Sequence, residues 1–473
     1  MPRLGLREGE LLDGFRIGPR LPVGGMARLW QATHPDLDFP IVVKVPRLAE
    51  GEDPAAIVSF EMEQMILPRL SGPHVPRFAG AGGFDRRPYI AMERIEGESL
   101  APLLERLPLP FDRIAEIAAR TADALDSLHR QHVVHLDVKP ANILFRPSGE
   151  AVLVDFGLAH HAQLPDLMME EFRVPYGTAP YMAPEQVMGI RSEPRSDLFA
   201  LGAMLYLLAT GEWPHGNPQH MGGLRRRLWR DPPPPRQLRP DCPAWLQEII
   251  LRCLEVLPER RHPTAAQLAY DIRHPEQITL TPRAEKAARD GWMQRLRRRF
   301  HPDHQPRFRP RESPADSLAR APILAVAVDL AVDPTMLGAM RAMVGRALKM
   351  LPGARLACLH VLRRNLIAPD TTLDEEGRNK HVQALIELRH WAEPLGLDDG
   401  RVTFHVLEAV SPASAILEHL QVNAVDHIVL GAGGRSLRNR VLGSVSAEVA
   451  AEAPCSVTVV RSRVAPAVSG DTG

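Results

Sequence analysis

Cysteine is scarce in this 473-residue chain: Cys242, Cys253, Cys358 and Cys455 lie far apart and form no Cys-x-x-Cys pair. That argues against a disulfide framework or a thiolate zinc site and fits reduced thiols. Aromatic residues make up only 5%, so the cores must be aliphatic. Net charge is also missing, because 57 Lys+Arg balance 57 Asp+Glu. A nucleic-acid binder working through bulk charge is therefore not expected. There is no long apolar run; the longest, Leu198 to Ala209, is about half a membrane span. Met1 to Glu10 carries charges where a secretory signal has its apolar core. The expectation is a soluble, cytoplasmic protein with no transmembrane segment.

What is present is ordinary globular composition, 45% hydrophobic and 24% charged. Proline is the excess: 45 residues, about twice the usual share. The length predicts two to four domains, and three zones are legible. Residues 1–273 mix short β-type runs with long helical patterns. Residues 274–320 are rich in Arg and Pro and read as a basic linker. Residues 321–463 alternate strands and helices, and 464–473 form a disordered tail.

In the first zone "FRIGPRL", "ARLWQAT", "IVVKVPR" and "PYIAMERI" read as strands and "AAIVSFEMEQMILPRL" as a helix. Ile114, Ile117, Ala118, Ala122, Leu125 and Leu128 share one helical stripe. Strands first and helices after predict a small β-rich lobe joined to a helical lobe, an α+β arrangement. In the third zone "PILAVAVDL" opens a strand–helix alternation that closes on "SVTVVR". That predicts a parallel, doubly wound α/β domain.

Several separated motifs in the first zone belong together. His135-Leu136-Asp137-Val138-Lys139-Pro140-Ala141-Asn142 follows a helix, Asp155-Phe156-Gly157 follows the strand "AVLVD", and Gly177 to Glu185 reads "GTAPYMAPE". Lys44 stands upstream in "VVKV" and Glu63 on the next helix. In this order they resemble the eukaryotic-type protein kinase family, over roughly residues 13 to 273, in its bacterial serine/threonine branch. The resemblance implies a bilobal fold and transfer of the ATP γ-phosphate to protein Ser/Thr hydroxyls with Mg²⁺ or Mn²⁺. Phosphoryl transfer needs alignment and charge neutralisation more than covalent help. The resemblance gives Asp155 and Asn142 to the metal and makes Asp137 the group that orients the hydroxyl and takes its proton. Lys44 holds the α/β-phosphates and Glu63 fixes Lys44. Lys139 meets the γ-phosphate, and Thr178 braces Asp137 and Lys139. Leu21, Val23, Gly24, Gly25 and Leu29 would border the nucleotide. Met92 would close the back of the adenine pocket, with Glu93 to Ile95 as the hinge. Glu185 with Arg261, and Asp197 near the backbone before Asp137, would be architectural.

Three departures stand out. The family's G-x-G-x-x-G falls on Pro22, Gly24 and Ala27, which predicts a stiffer phosphate loop. The usual Arg before the catalytic Asp is Leu136. No Ser or Thr lies between Gly157 and Thr178; Tyr176 carries the one phosphorylatable hydroxyl there. The last two predict a kinase not switched on by phosphorylation of its activation segment.

The linker run "WMQRLRRRF" reads as a solvated tether, or as an anionic-surface dock anchored by Trp292, Met293, Leu296 and Phe300. The third zone resembles the universal stress protein family over roughly residues 320 to 462. The ATP-binding branch of that family carries Gly-x-x-Gly, nine residues, then Gly-Ser/Thr. Here eight residues separate Gly431-Ala432-Gly433-Gly434 from Gly443-Ser444. A glycine-rich turn after a strand turns backbone N–H groups toward a phosphate, and Asp329 at a strand end can meet adenine or ribose. The resemblance implies nucleotide sensing or homodimer formation. The rival for the whole chain is a non-catalytic nucleotide-binding pseudokinase scaffold.

Overall fold

Alternating apolar and polar residues near the start of the chain build a six-stranded antiparallel sheet. Its strands are β1 (Leu11–Leu12), β2 (Phe15–Arg20), β3 (Ala27–Thr33), β4 (Ile41–Pro46), β5 (Phe78–Gly82) and β6 (Tyr89–Glu93), in the order β1-β2-β3-β4-β6-β5. The computed structural model describes residues 6–21, 27–47, 54–84, 86–172, 175–289, 322–351, 353–364, 379–398, 401–432 and 443–461, with isolated residues 291, 293, 308, 373 and 374. The expectations placed on Val23, Gly24, Gly25, Gly434, Trp292, Leu296, Phe300 and residues 464–473 lie outside the described residues. Phe15, Ile17, Ala32, Ile41, Val43, Val45, Tyr89 and Ala91 form the core on one face of the sheet. Because side chains alternate along a strand, Lys44 between Val43 and Val45 turns to the other face. The helix α1 (Pro54–Ile66) lies there.

β5 was not legible, since "FAGAG" has no β-branched residue. Its small side chains make room for rings: a Cβ on Gly82 would stand 2.4 Å from the Tyr89 ring, and one on Gly80 3.3 Å from Phe15.

The second lobe carries α2 (Phe111–Arg130), α3 (Leu167–Glu171), α4 (Pro184–Val187), α5 (Arg195–Thr210), α6 (Met221–Leu224), α7 (Pro235–Leu238), α8 (Ala244–Cys253), α9 (Ala265–Arg273) and α10 (Pro282–Glu285). Two small two-stranded antiparallel sheets accompany them: β7 (Val133–Val134) with β10 (His160–His161), and β8 (Ile143–Phe145) with β9 (Ala151–Leu153). The stripe read along α2 is buried as expected. α5 is buried from Ser196 to Ala209, which explains an apolar run without a helical stripe: every side faces protein. It stops at Gly211, whose φ of 78° suits glycine. Past Arg273 the chain stays on this lobe. Gln247 Nε2 donates to the Arg283 carbonyl (2.7 Å), and Glu248 accepts from Thr281 Oγ1 and Arg283 Nη1, both at 2.9 Å.

The chain divides into two compact units, the second drawn mainly from residues 313–473. There β11 (Ile323–Ala327), β12 (Arg355–Arg363), β13 (Val402–Ala409), β14 (His427–Gly431) and β15 (Ser456–Val460) form an all-parallel sheet ordered β13-β12-β11-β14-β15. The crossovers are α11 (Pro334–Met350), α12 (Lys380–Ala392), α13 (Pro412–Val422) and α14 (Ser444–Glu452). Asp333, Asn379 and Ser411 cap α11, α12 and α13 through their side-chain oxygens. This is the doubly wound α/β arrangement predicted from the alternation.

Candidate active site

Lys44 enters the space between sheet and α1 from the middle of β4, where it is paired in register with Leu29 on one side and Ile90 on the other. Its ammonium lies 2.5 Å from Glu63 Oε2 and 2.8 Å from Asp155 Oδ1. Three elements far apart in sequence thus meet at one amine. Burial opposes the charge on Lys44, but Asp155 and Glu63 outweigh it and hold its pKa above the ordinary lysine value. The Lys44 charge keeps the Asp155 carboxyl below its usual range, while burial pushes Glu63 up. Asp155 therefore stays an anion, and its side chain is 45% exposed.

Asp155 sits at φ 69°, a left-handed conformation costly for a residue with a Cβ. Its neighbours fix it. Phe156 is buried against the His135 ring, centroids 5.4 Å apart. Gly157 passes so close to α1 that a Cβ there would stand 2.0 Å from Ser59 Oγ.

Asp137 lies in the loop between β7 and β8. Its Oδ1 accepts from Thr178 Oγ1 (2.8 Å) and the Thr178 backbone N–H (3.2 Å). Its Oδ2 accepts from Lys139 Nζ (2.6 Å) and Asn142 Nδ2 (3.1 Å). Lys139 also donates to Thr178 Oγ1 at 3.0 Å. The loop shape comes from Leu136, at φ 61°. Its N–H donates to Asp197 Oδ1 (2.8 Å), and its carbonyl accepts from Gln186 Nε2 (2.9 Å). Asp197 also takes the His135 N–H at 2.9 Å, as its position at the start of α5 suggested. Glu185 and Arg261 form the expected buried pair, with N···O distances of 2.6 and 2.8 Å.

Met92 is buried on β6, beside Val42 and Phe78 in register. The Glu93 carboxylate turns to Arg146, whose Nη1 and Nη2 reach it at 2.5 and 2.9 Å. Burial works against that anion, but Arg146 and Arg77 hold its pKa low. Glu93 thus has its side chain engaged elsewhere and its N–H given to the Arg77 carbonyl at 2.8 Å, which leaves its own carbonyl to offer a ligand. Leu21 and Leu29 are brought together by the hydrogen bond from the Leu21 N–H to the Leu29 carbonyl, 2.9 Å.

Sequence reasoning missed Gln186, Arg146 and a cluster on the segment after Asp155. There Asp166 Oδ2 meets Arg191 Nε at 2.6 Å and His160 Nδ1 at 3.1 Å, and Asp166 caps α3. Burial would raise the Asp166 carboxyl, but Arg191 and His160 bring it well below the usual value.

In the second unit Asp329 follows β11 and Gly431 ends β14, and these strands are neighbours in register. Asp329 Oδ1 accepts from the Ala331 N–H, 3.1 Å. Gly443 and Ser444 open α14, and Ser446 Oγ ties that helix to the Gly431 carbonyl at 2.7 Å.

The model of the family described as "Protein kinase domain" matches residues 15–271, and that of the "Universal stress protein family" matches residues 324–461. The serine/threonine-protein kinase PknB of Mycobacterium leprae is 31% identical over 268 residues, covering 56% of this chain and 43% of that protein. PknB of Mycobacterium tuberculosis is 30% identical with the same coverage. The chain thus spans under half the length of these relatives. The solved kinase domain of Mycobacterium tuberculosis PknI is 26% identical, with a TM-score of 0.45, over 57% of this chain and 99% of that one.

Proposed function

The chain belongs to the protein kinase domain family, and from that premise we propose that it is a serine/threonine protein kinase that transfers the ATP γ-phosphate to protein hydroxyls. The observation that carries this is the meeting of Lys44, Glu63 and Asp155 at one amine, beside an Asp137 held by Lys139, Asn142 and Thr178.

The residues suit a magnesium ion. Asp155 is a half-exposed carboxylate with Oδ1 on Lys44, and Asn142 gives its amide N–H₂ to Asp137, which leaves its oxygen for a cation. Both are hard oxygen donors. Among the described residues no group of three or more His, Cys, Asp or Glu could hold a metal alone. Asp155 and Asn142 would hold Mg²⁺, or Mn²⁺ in its place, which would supply neutralisation of the charge that develops on the phosphates.

Lys44, fixed as a cation by two carboxylates, binds the α/β-phosphates. Asp137 has four donors on two oxygens, so an incoming Ser or Thr hydroxyl replaces one of them. It is then oriented by the carboxylate, which takes its proton. Lys139, 2.6 Å from Asp137, supplies positive charge where the transferred group passes. Adenine is read by the backbone of Glu93 to Ile95 against Met92.

In this reading residues 1–273 form the kinase domain, the chain as far as Lys286 stays packed on it, the rest of 274–320 is the basic tether and 321–463 the second domain. The last tunes output by binding adenine nucleotide near Asp329, Gly431 and Ser444, or by pairing two copies of the chain. No described helix is long and apolar enough to cross a membrane, and the protein acts in the cytoplasm.

The test is radiolabel transfer from ATP to a generic basic protein with Mg²⁺ or Mn²⁺, wild type beside Asp137→Asn. Loss of label in the variant is the expected result. Equal label in both, or none in wild type, leaves a non-catalytic scaffold. Loss of residues 321–473 without change in output or nucleotide response removes the regulatory part.

A further inference from the structure

Arg146 follows β8 directly and reaches from the helical lobe to the lobe that carries the large sheet. Its Nη1 and Nη2 grip both oxygens of the Glu93 carboxylate, at 2.5 and 2.9 Å, and its Nε donates to the Pro73 carbonyl at 3.0 Å. The pair is largely out of water, with side-chain exposures of 19% for Arg146 and 7% for Glu93. Two parallel N–H···O bonds from one planar fork fix direction as well as distance. Arg77 holds Glu93 from its own side. The Arg77 N–H donates to Glu93 Oε2 at 3.1 Å, and the Arg77 carbonyl accepts from the Glu93 N–H at 2.8 Å. With carboxylate and N–H both taken, the Glu93 carbonyl is the group left to a ligand.

The other end of β8 belongs to the metal-binding residues of the proposed reaction. β8 and β9 pair Ile143 with Leu153, Leu144 with Val152 and Phe145 with Ala151. The ladder runs on past both ends. The Val154 N–H donates to the Asn142 carbonyl at 3.1 Å, and the Arg146 N–H to the Glu150 carbonyl at 2.9 Å. Asn142 and Asp155 thus stand at one end of a short, stiff unit and Arg146 at the other, four strand steps or roughly 13 Å away. The chain before β5 is fastened to the same unit: the Leu153 N–H donates to the His74 carbonyl at 2.9 Å, and His74 Nδ1 lies 2.8 Å from the Ala151 carbonyl oxygen. A nucleotide has to meet Glu93 with its base and the Asn142–Asp155 pair with its phosphates at once. Position 6 of the purine then decides. Adenine carries an amino donor there, and a 6-oxopurine carries an acceptor. A carbonyl held in place accepts from the first and is left facing another oxygen by the second. A carbonyl free to swing discriminates less.

We propose that Arg146 is a positioning residue for base selection: gripping Glu93 from the far end of β8, it holds the Glu93 carbonyl at a set distance from Asn142 and Asp155, so that a 6-aminopurine nucleotide is preferred to a 6-oxopurine one. The inference rests on the kinase reading above and adds the residue that sets base choice. Arg146 acts through Glu93 and not on the nucleotide itself. A residue that served stability alone would, when lost, weaken the use of every nucleotide alike.

The experiment uses the full chain with Mg²⁺ and core histones as acceptor, comparing wild type, Arg146→Met and Arg146→Lys. ATP is set beside inosine triphosphate, in which a carbonyl replaces the 6-amino group, and the ratio of their kcat/KM values is read. Where labelling from inosine triphosphate is too slow to measure, its inhibition of ATP labelling gives the comparison. The expected result is an ATP preference reduced about tenfold in Arg146→Met, with KM for ATP raised. Arg146→Lys should lose less, because it keeps a cation but cannot take both carboxylate oxygens. An unchanged ratio in both variants overturns the inference, and so does an equal fall for the two nucleotides or a wild type without preference. If Arg146→Met does not fold, by thermal melt, Arg146→Lys decides on the same criteria. A wild type that labels nothing from either nucleotide sinks the kinase reading and this inference together; an active wild type with variants of unaltered preference sinks the inference alone.

Discussion

Thr178 Oγ1 stands 2.8 Å from Asp137 Oδ1 and 3.0 Å from Lys139 Nζ, although 41 and 39 residues separate the partners in sequence. One hydroxyl therefore touches both members of a pair that also meets directly at 2.6 Å, the pair that flanks the transferred group in the proposed reaction. Thr178→Ala should lower kcat for histone labelling, by less than the roughly 10²–10⁴-fold that a general base contributes in full. Thr178→Ser should keep most of the activity, because it keeps the oxygen.

Gly157 cannot take a side chain without displacing Ser59 and its backbone. Gly157→Ala should shift α1, part Lys44 from Glu63 and abolish labelling. Protection of the α1 amides in hydrogen exchange should fall with it.

The Glu185–Arg261 pair is at 1% and 0% side-chain exposure. Removing one partner strands the other's charge, a loss of about 3–5 kcal/mol. Glu185→Ala should show that loss in urea denaturation, and Glu185→Gln a smaller one, since it keeps an acceptor for Arg261 and for Ser196 Oγ.

The segment after Asp155 is fastened by Asp166 to Arg191 and His160, side chains that need no modification to meet. Phosphatase treatment should leave labelling unchanged, and Asp166→Asn should lower it. Asp166 also gives stability a pH dependence. Its folded carboxyl lies below the unfolded value of about 3.9, so its contribution is complete above that value. It is lost as pH falls through the folded pKa. The acid limb of the wild-type stability curve should be steeper than that of Asp166→Asn.

The elements that the sequence reveals are those with a local period. The α2 stripe and the β–α alternation after residue 321 appear where they were read, within a few residues. The site was legible because its motifs are short and ordered, and Lys44, Glu63, Asp137, Asn142 and Asp155 do converge in one lobe pair. Contacts made across the fold left no such trace. Arg227 sits in a triplet of arginines that reads as a solvated charge run, and only burial separates it from its neighbours. Gln186 and Asp166 find partners 50 and 25 residues away, with nothing nearby in sequence to announce them. β5 was hidden because glycine and alanine were selected there for the rings they admit rather than for strand propensity.

The double anchoring of Leu136 fixes what the site depends on. Its N–H is held by Asp197 and its carbonyl by Gln186. The bend that presents Asp137 is therefore held by α5 and by Gln186, from outside the loop that carries it.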